Sequence, residues 1–174
     1  NIDEAITIFK DSKDPKYLAG GMTLIASMKQ RLIAPTDIID IKKVHNLDNI
    51  DVQDNILKIG ALCTHDQIAK DSNILKLLEN FSFLANGIGD PAVRKMGTIG
   101  GSLSNSDPAA DWPAAVLALK TSIFTNNRTI INEDFFTGMF ETCLEENELL
   151  TSIEIELPNF FNYIKFPNPA SRYA

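Results

Sequence analysis

Thiols are scarce in this chain. Only two cysteines occur among its 174 residues, Cys63 and Cys143, and they lie far apart. No Cys-x-x-Cys pair exists, so the chain's own thiolates cannot assemble a zinc knuckle or an iron–sulfur cluster. Nothing in the sequence supports a disulfide between them, and two free thiols in a reducing cytoplasm are the expectation. Histidine is equally sparse: His45 and His65 are the only two, neither has a ligand-spaced partner, and surface or capping roles are expected for both. No metal site is therefore expected. Positive charge is also short, with 16 Lys and Arg against 23 Asp and Glu and a formal net charge of −7. That balance argues against nucleic acid or an anionic membrane surface as the main partner, because both need a basic face. It leaves room for a phosphate held locally by backbone N–H groups. No apolar run approaches the roughly 20 residues of a membrane span. No signal peptide is visible, but the chain begins at Asn1 rather than Met, so the native N-terminus is expected to lie upstream.

What is present is ordinary globular material. Hydrophobic residues make up 44% and charged residues 22%, and the length suits one domain or two small lobes with a core that needs no staples. Ile2, Ala5, Ile6 and Phe9 recur at helical spacing, with Asp3 and Glu4 in the first turn, so residues 2–11 read as a helix. A short apolar run at Tyr17-Leu18-Ala19 stops at Gly20-Gly21. Thr23 is then placed to cap a helix through Leu24, Ile25, Met28 and Lys29. Strands are expected at Asp37-Ile38-Ile39-Asp40-Ile41 and between Ile50 and Ile59 around a turn at Asp54-Asn55. Helix and strand thus alternate over the first 60 residues, the sign of a small βαβ-type lobe. Thr64 and Gln67 form a capping box. Ile74, Leu77, Leu78, Phe81, Leu84 and Ala85 mark one face of a helix over residues 72–86, ended by Gly87 and Gly89. A further helix should start near Asp111 or Trp112. A hairpin follows around Asn126-Asn127. Ile153, Ile155 and Leu157 alternate with polar residues as a half-buried strand, and Tyr163 to Phe166 offer one more. Phe135, Phe136 and Phe140 are expected in the core.

One stretch dominates: Met96-Gly97-Thr98-Ile99-Gly100-Gly101-Ser102-Leu103-Ser104-Asn105-Ser106-Asp107-Pro108-Ala109-Ala110-Asp111-Trp112-Pro113. Almost nothing in it can fill a hydrophobic core. Bare peptide N–H groups beside small hydroxyl residues suit a phosphate. Alone, the same residues also fit a Gly/Ser-rich surface turn. Gly20-Gly21 repeats the pattern, a strand, two glycines and a helix start. A plain connection explains it equally well. Asp111 could cap the helix that follows it. Lys165 could be a solvated lysine on an edge strand, and Arg94-Lys95 a surface pair. Trp112 reads as a packing residue.

The two glycine motifs together, and the tail after them, carry a resemblance. The residues are Ala19-Gly20-Gly21-Met22-Thr23-Leu24 with Met28-Lys29, and Arg94-Lys95-Met96-Gly97-Thr98-Ile99-Gly100-Gly101-Ser102. Asp107-Pro108-Ala109-Ala110-Asp111, Phe135-Phe136-Thr137-Gly138, Glu148-Leu149-Leu150 and Asn168-Pro169-Ala170-Ser171-Arg172-Tyr173 follow in the family's order. The chain resembles the FAD-binding (medium) subunits of the molybdenum hydroxylases. These include carbon monoxide dehydrogenase medium chains, xanthine dehydrogenase FAD subunits and aldehyde or glyceraldehyde oxidoreductase medium chains. It departs from the pattern at Met22, where a polar residue is common, and at Ser102, where Asn is more frequent.

The resemblance implies an α+β, two-lobed FAD-binding domain of the PCMH (vanillyl-alcohol-oxidase-like) type. A small βαβ-type lobe would cover residues 1–59. A second lobe, mostly antiparallel sheet with flanking helices, would cover residues 60–174, and the family's C-terminal domain is absent from this chain. It implies FAD between the lobes, contacted by Tyr17, Leu18, Ala19, Gly20, Gly21, Met22, Thr23 and Leu24 on one side. Thr98, Ile99, Gly100, Gly101 and Ser102 would face them, with Ile88, Asp111, Leu150 and Lys165 completing the contacts. Asp111 would bond a cofactor hydroxyl. No catalytic side chain is implied. The expected role is electron transfer from the [2Fe–2S] clusters of a small partner subunit, through FAD, to an external acceptor. Substrate would be oxidised on a large molybdopterin subunit. A cofactor-free structural subunit of the same fold and a stand-alone FAD oxidase or dehydrogenase are the alternatives.

Overall fold

The computed structural model describes residues 1–166. The motif expected at Asn168 to Tyr173 lies outside the described residues.

Helix α1 (Ile2–Asp11) starts where Asn1 accepts from the Glu4 N–H at 2.8 Å, completing a capping box, and it buries Ala5 and Phe9. Strands β1 (Pro15–Leu18) and β2 (Asp37–Asp40) pair in parallel, with α2 (Leu24–Lys29) as the crossover. Thr23 does not cap α2. Its backbone is already helical (φ −90°, ψ −49°) and its side chain makes no capping bond, because a cap needs extended backbone for the hydroxyl to turn back onto the first turn.

A five-stranded antiparallel sheet carries the rest of the fold. It contains β3 (Ile50–Gln53), β4 (Ile56–Gly60), β5 (Thr121–Thr125), β6 (Thr129–Ile131) and β9 (Leu150–Glu156), in the order β3-β4-β9-β5-β6. Asp54 and Asn55 both take positive φ, 48° and 66°, which gives the β3–β4 hairpin a twist matched to its strands. The expected lobe division after residue 59 falls inside β4. That strand pairs with β9 from Ile56 against Glu156 to Gly60 against Ser152, so β3 and β4 belong to the larger sheet. Local alternation of helix and strand carries no information on a partner almost a hundred residues away.

Helices α3 (His65–Lys70), α4 (Ser72–Leu77), α5 (Glu79–Asn86), α6 (Pro91–Met96), α7 (Ile99–Asn105) and α8 (Asp111–Ala118) flank this sheet. Short α9 (Asn132–Phe135) leads into the small pair β7 (Phe136–Gly138) and β8 (Glu141–Thr142). The single helix expected over 72–86 is two, broken at Leu78 (φ −148°, ψ 57°), whose side chain is buried at the break. The helical period survives the break, which is why the pattern hides it. Phe135 is fully buried, but Phe140 is 57% exposed and sits at φ 58° in the β7–β8 connection. Tyr163 to Phe166 form no strand. This segment is held by side chains instead.

The main core gathers Leu57, Ile59, Phe81, Leu84, Trp112, Ile123, Ile153 and Ile155 between sheet and helices. A second cluster unites Ala5, Phe9, Ile39 and Ile41 of the small lobe with Leu62 and Leu149 of the larger one. Tyr17 stacks on Phe9 at 4.6 Å and donates to the Asn147 carbonyl at 3.3 Å, a second tie between lobes. Cys63 is a free, buried thiol bonded to the Asn49 carbonyl, and burial pushes its pKa up to about 12. Cys143 is free and half-buried.

Candidate functional site

The seam between the lobes opens into a cavity of about 600 Å³, a size suited to a cofactor or other small organic ligand. Its two jaws are the glycine segments, and they touch. A Cβ on Gly20 would lie 2.0 Å from the Met96 carbonyl oxygen and 2.8 Å from the Gly97 Cα, so the β1–α2 connection reaches the α6–α7 junction only because Gly20 has no side chain. Gly21 follows at φ 76°.

The jaws differ in their free hydrogen-bonding capacity. Among the described residues, no protein acceptor bonds the N–H of Gly20, Gly21, Met22 or Thr23. These consecutive donors run directly into α2. The second segment is not the bare loop its composition suggests. It is the first turn of α7, capped by Thr98, and its donors are taken. Ile99 N–H donates to the Cys63 carbonyl at 3.0 Å and Gly100 N–H to the Ala61 carbonyl at 2.9 Å. Gly101 N–H donates to Thr98 Oγ1 at 3.1 Å and Ser102 N–H to the Thr98 carbonyl at 3.0 Å. The glycines here serve close packing. A Cβ on Gly100 would lie 2.6 Å from the Ala61 Cβ, whereas Gly101 is exposed on the cavity side.

Of the expected contact residues, Tyr17, Ala19, Gly20, Gly21, Met22, Thr23, Leu24, Ile88, Thr98, Gly100, Gly101, Ser102 and Leu150 line this one cavity. Leu18, Ile99, Asp111 and Lys165 do not. Ile99 is fully buried in the core. Asp111 does not cap α8. It is that helix's first residue, 8% exposed, and its carboxylate accepts from the Tyr163 hydroxyl and from Lys165 Nζ at 3.1 Å. Lys165 Nζ also donates to the Gly87 carbonyl at 2.9 Å. Lys165 is thus a half-buried tether rather than a solvated strand residue. Burial and the Asp111 hydrogen bond push the Tyr163 hydroxyl well above its usual pKa. Arg94 likewise is engaged, donating to the Ile88 and Gly89 carbonyls at 3.0 Å.

Sequence reasoning misses two wall residues of note. Glu148 accepts from Arg128 Nε and Nη2, both at 2.9 Å, from Thr125 Oγ1 at 2.7 Å and from its own turn at Glu145 N–H. Its carboxylate is held down at about 2, chiefly by Arg128. This pins residues 145–149 at the cavity wall. His65, expected at the surface or in a cap, is 5% exposed and also lines the cavity. A lone histidine carries no periodic signal, so its burial is not readable from the chain.

The cavity therefore joins apolar walls from Tyr17, Leu24, Ile88 and Leu150 with a run of unengaged main-chain donors. That is the chemistry of a site for an extended, partly anionic cofactor. Residues 1–159 match the family described as the FAD binding domain in molybdopterin dehydrogenase, and the chain belongs to that family. It is 33% identical over 180 residues to the glyceraldehyde dehydrogenase medium chain of Sulfolobus acidocaldarius, covering 100% of this chain and 64% of that protein. It is 35% identical over 182 residues to the carbon monoxide dehydrogenase medium chain of Afipia carboxidovorans, covering 99% of this chain and 62% of that one. The fold superposes on carbon monoxide dehydrogenase from Hydrogenophaga pseudoflava with a TM-score of 0.94 at 30% identity, over 100% of this chain and 63% of the other. The α+β architecture and FAD as the cofactor follow from this membership. The chain spans less than two thirds of the length of these relatives.

Proposed function

We propose that this chain forms the FAD-binding part of an electron-transfer subunit in a molybdopterin-dependent dehydrogenase. In this reading a small subunit with [2Fe–2S] clusters supplies the electrons and an external acceptor removes them. A large molybdopterin subunit oxidises the substrate. The bound flavin supplies the redox chemistry. The chain's own residues bind, orient and shield.

The observation that carries the reading is the unengaged N–H run from Gly20 to Thr23 in the cavity wall. These donors hold the diphosphate without a cation, which suits a chain of net charge −7. Across the cleft, exposed Gly101 lets the ligand approach α7 closely, and Ser102 offers a hydroxyl. Thr98 and Gly100 fix the position of that helix. Tyr17, Leu24, Ile88 and Leu150 shield the less polar parts from water, and Ala19 and Met22 complete the wall. Leu18 and Ile99 act from beneath by packing. Asp111 and Lys165 hold one another outside the cavity lining.

Titration of the purified protein with FAD, followed by quenching of flavin fluorescence, tests this. One FAD per chain is expected, with a Gly20→Val variant losing it. Stoichiometric binding that Gly20→Val leaves intact would contradict the placement.

A further inference from the structure

His65 is the one buried imidazole on the cavity, and the family role just proposed gives it no task. Its backbone N–H donates to the Gly97 carbonyl at 3.0 Å, fixing the first residue of α3 against the α6–α7 junction. Its Nδ1 accepts from the Trp112 indole N–H at 3.1 Å. Indole N–H is a donor only, so Nδ1 must present its lone pair. The neutral ring then carries its single proton on Nε2. Trp112 is fully buried and packed on Phe81 at 4.8 Å between ring centroids, so the partner that sets this tautomer sits in the core.

Nε2 points to the place where the jaws meet. A Cβ on Gly97 would lie 2.7 Å from it, and Gly97 is the residue against which Gly20 packs. Among the described residues no protein acceptor takes the Nε2 proton, yet no buried polar side-chain atom among them lacks a partner. Nε2 is therefore open to the cavity that His65 lines.

We propose that His65 is a further cofactor-binding residue, whose Nε2–H, oriented by Trp112, donates to a diphosphate oxygen beside the Gly20–Thr23 donors. The diphosphate is the acceptor this position selects, because Nε2 sits at the contact of the two glycine segments rather than along the apolar walls. Burial keeps the ring neutral, with a pKa lowered to about 4, the facing Asp111 opposing that shift and Arg94 adding to it. A protonated ring would set Nδ1–H against the Trp112 N–H. The donor is thus the same across the neutral pH range. This inference rests on the FAD reading above.

The test pairs two substitutions in the FAD-loaded protein. His65→Asn keeps an acceptor for Trp112 but withdraws the donor from the Nε2 position. His65→Gln carries an amide donor out to it. FAD dissociation constants should rise about tenfold for His65→Asn and stay within about threefold for His65→Gln, the scale of one hydrogen bond. Independently of affinity, long-range 1H–15N spectra of histidine-labelled wild-type protein should show the Nε2–H tautomer for one of its two histidines. That signal should shift on FAD binding and vanish in His65→Gln. The phosphorus resonances of bound FAD should move in His65→Asn. An Nδ1–H tautomer, a His65 signal indifferent to FAD, or wild-type affinity in His65→Asn each overturns the proposal. Wild-type protein that takes up no FAD would instead bring down the functional reading, and this inference with it.

Discussion

Gly100 and Gly101 are adjacent and chemically identical, yet replacing each by Ala should have separable effects. At Gly100 the new methyl would lie 2.6 Å from the Ala61 Cβ and 2.7 Å from its carbonyl oxygen. Ordinary contact begins near 3.4 Å, so α7 must move about 0.7–0.8 Å from the 61–63 segment. That motion stretches the Gly100–Ala61 and Ile99–Cys63 hydrogen bonds, now 2.9 and 3.0 Å. Overpacking costs about 1–3 kcal/mol and each weakened bond about 0.5–1.5 kcal/mol. Higher helix propensity returns about 1 kcal/mol. The net loss is about 1–5 kcal/mol, centred near 3, a Tm drop of roughly 10 °C for a chain of this size. At Gly101 the methyl meets only Thr98 Oγ1, at 2.9 Å, and the Ala19 Cβ at 3.7 Å. The strain on one capping hydroxyl is offset by the propensity gain, so Tm should stay within about 2 °C. Its methyl enters the cavity, and FAD affinity should fall. Calorimetric melting and FAD titration of both variants decide the matter. Gly100→Ala melting with the wild type, or Gly101→Ala losing more stability than Gly100→Ala, would refute the reasoning.

Other consequences follow from the buried polar contacts. Glu148 has a folded pKa of about 2 against 4.5 for the free side chain, so its stabilisation is complete above the unfolded value and is lost as pH falls toward 2. Glu148→Gln should be on the order of 2 kcal/mol less stable at pH 7, a figure reduced from the full shift because Arg128 is 43% exposed. Denaturant titrations should show that gap narrowing as pH falls from 4.5 toward 2, and a constant gap would contradict the pairing. His65 has a folded pKa of about 4 against 6.5 unfolded. The fold prefers its neutral form, and stability is lost as pH falls from 6.5 toward 4. His65→Gln should flatten that part of the stability–pH curve, and an unchanged slope would argue against a buried neutral ring. Asp111→Asn should weaken both the Tyr163 and Lys165 contacts, so limited proteolysis should cut within 157–166 several-fold faster, while an unchanged rate would mean that other contacts hold the segment.

Local chemistry was legible in the sequence at most short-range signals, the Thr23 cap being an exception. The turn at Asp54-Asn55, the Thr64–Gln67 capping box and the start of α8 at Asp111 follow from residues within one turn of each other. Hairpin pairs were legible, but long-range pairing was not. The assignment of β3 and β4 to the small lobe failed because β9, their sheet's centre, lies almost a hundred residues on. The site was half legible. Two glycine pairs flagged both jaws, but composition could not tell free donors at Gly20 to Thr23 from satisfied ones at Ile99 to Ser102. The 61–63 segment, distant in sequence, takes the Ile99 and Gly100 donors, and the hydroxyl and carbonyl of Thr98 take those of Gly101 and Ser102. His65 and Glu148 were missed for the same reason, since their partners Trp112 and Arg128 are set by the tertiary fold.

The central claim is that the seam cavity holds the FAD diphosphate on the Gly20–Thr23 main chain. A crystal structure of the FAD complex tests it most directly. The account predicts diphosphate oxygens within hydrogen-bonding distance of the N–H groups of Gly20 to Thr23, with α7 opposite. Density for the diphosphate at any other place on the molecule would contradict it.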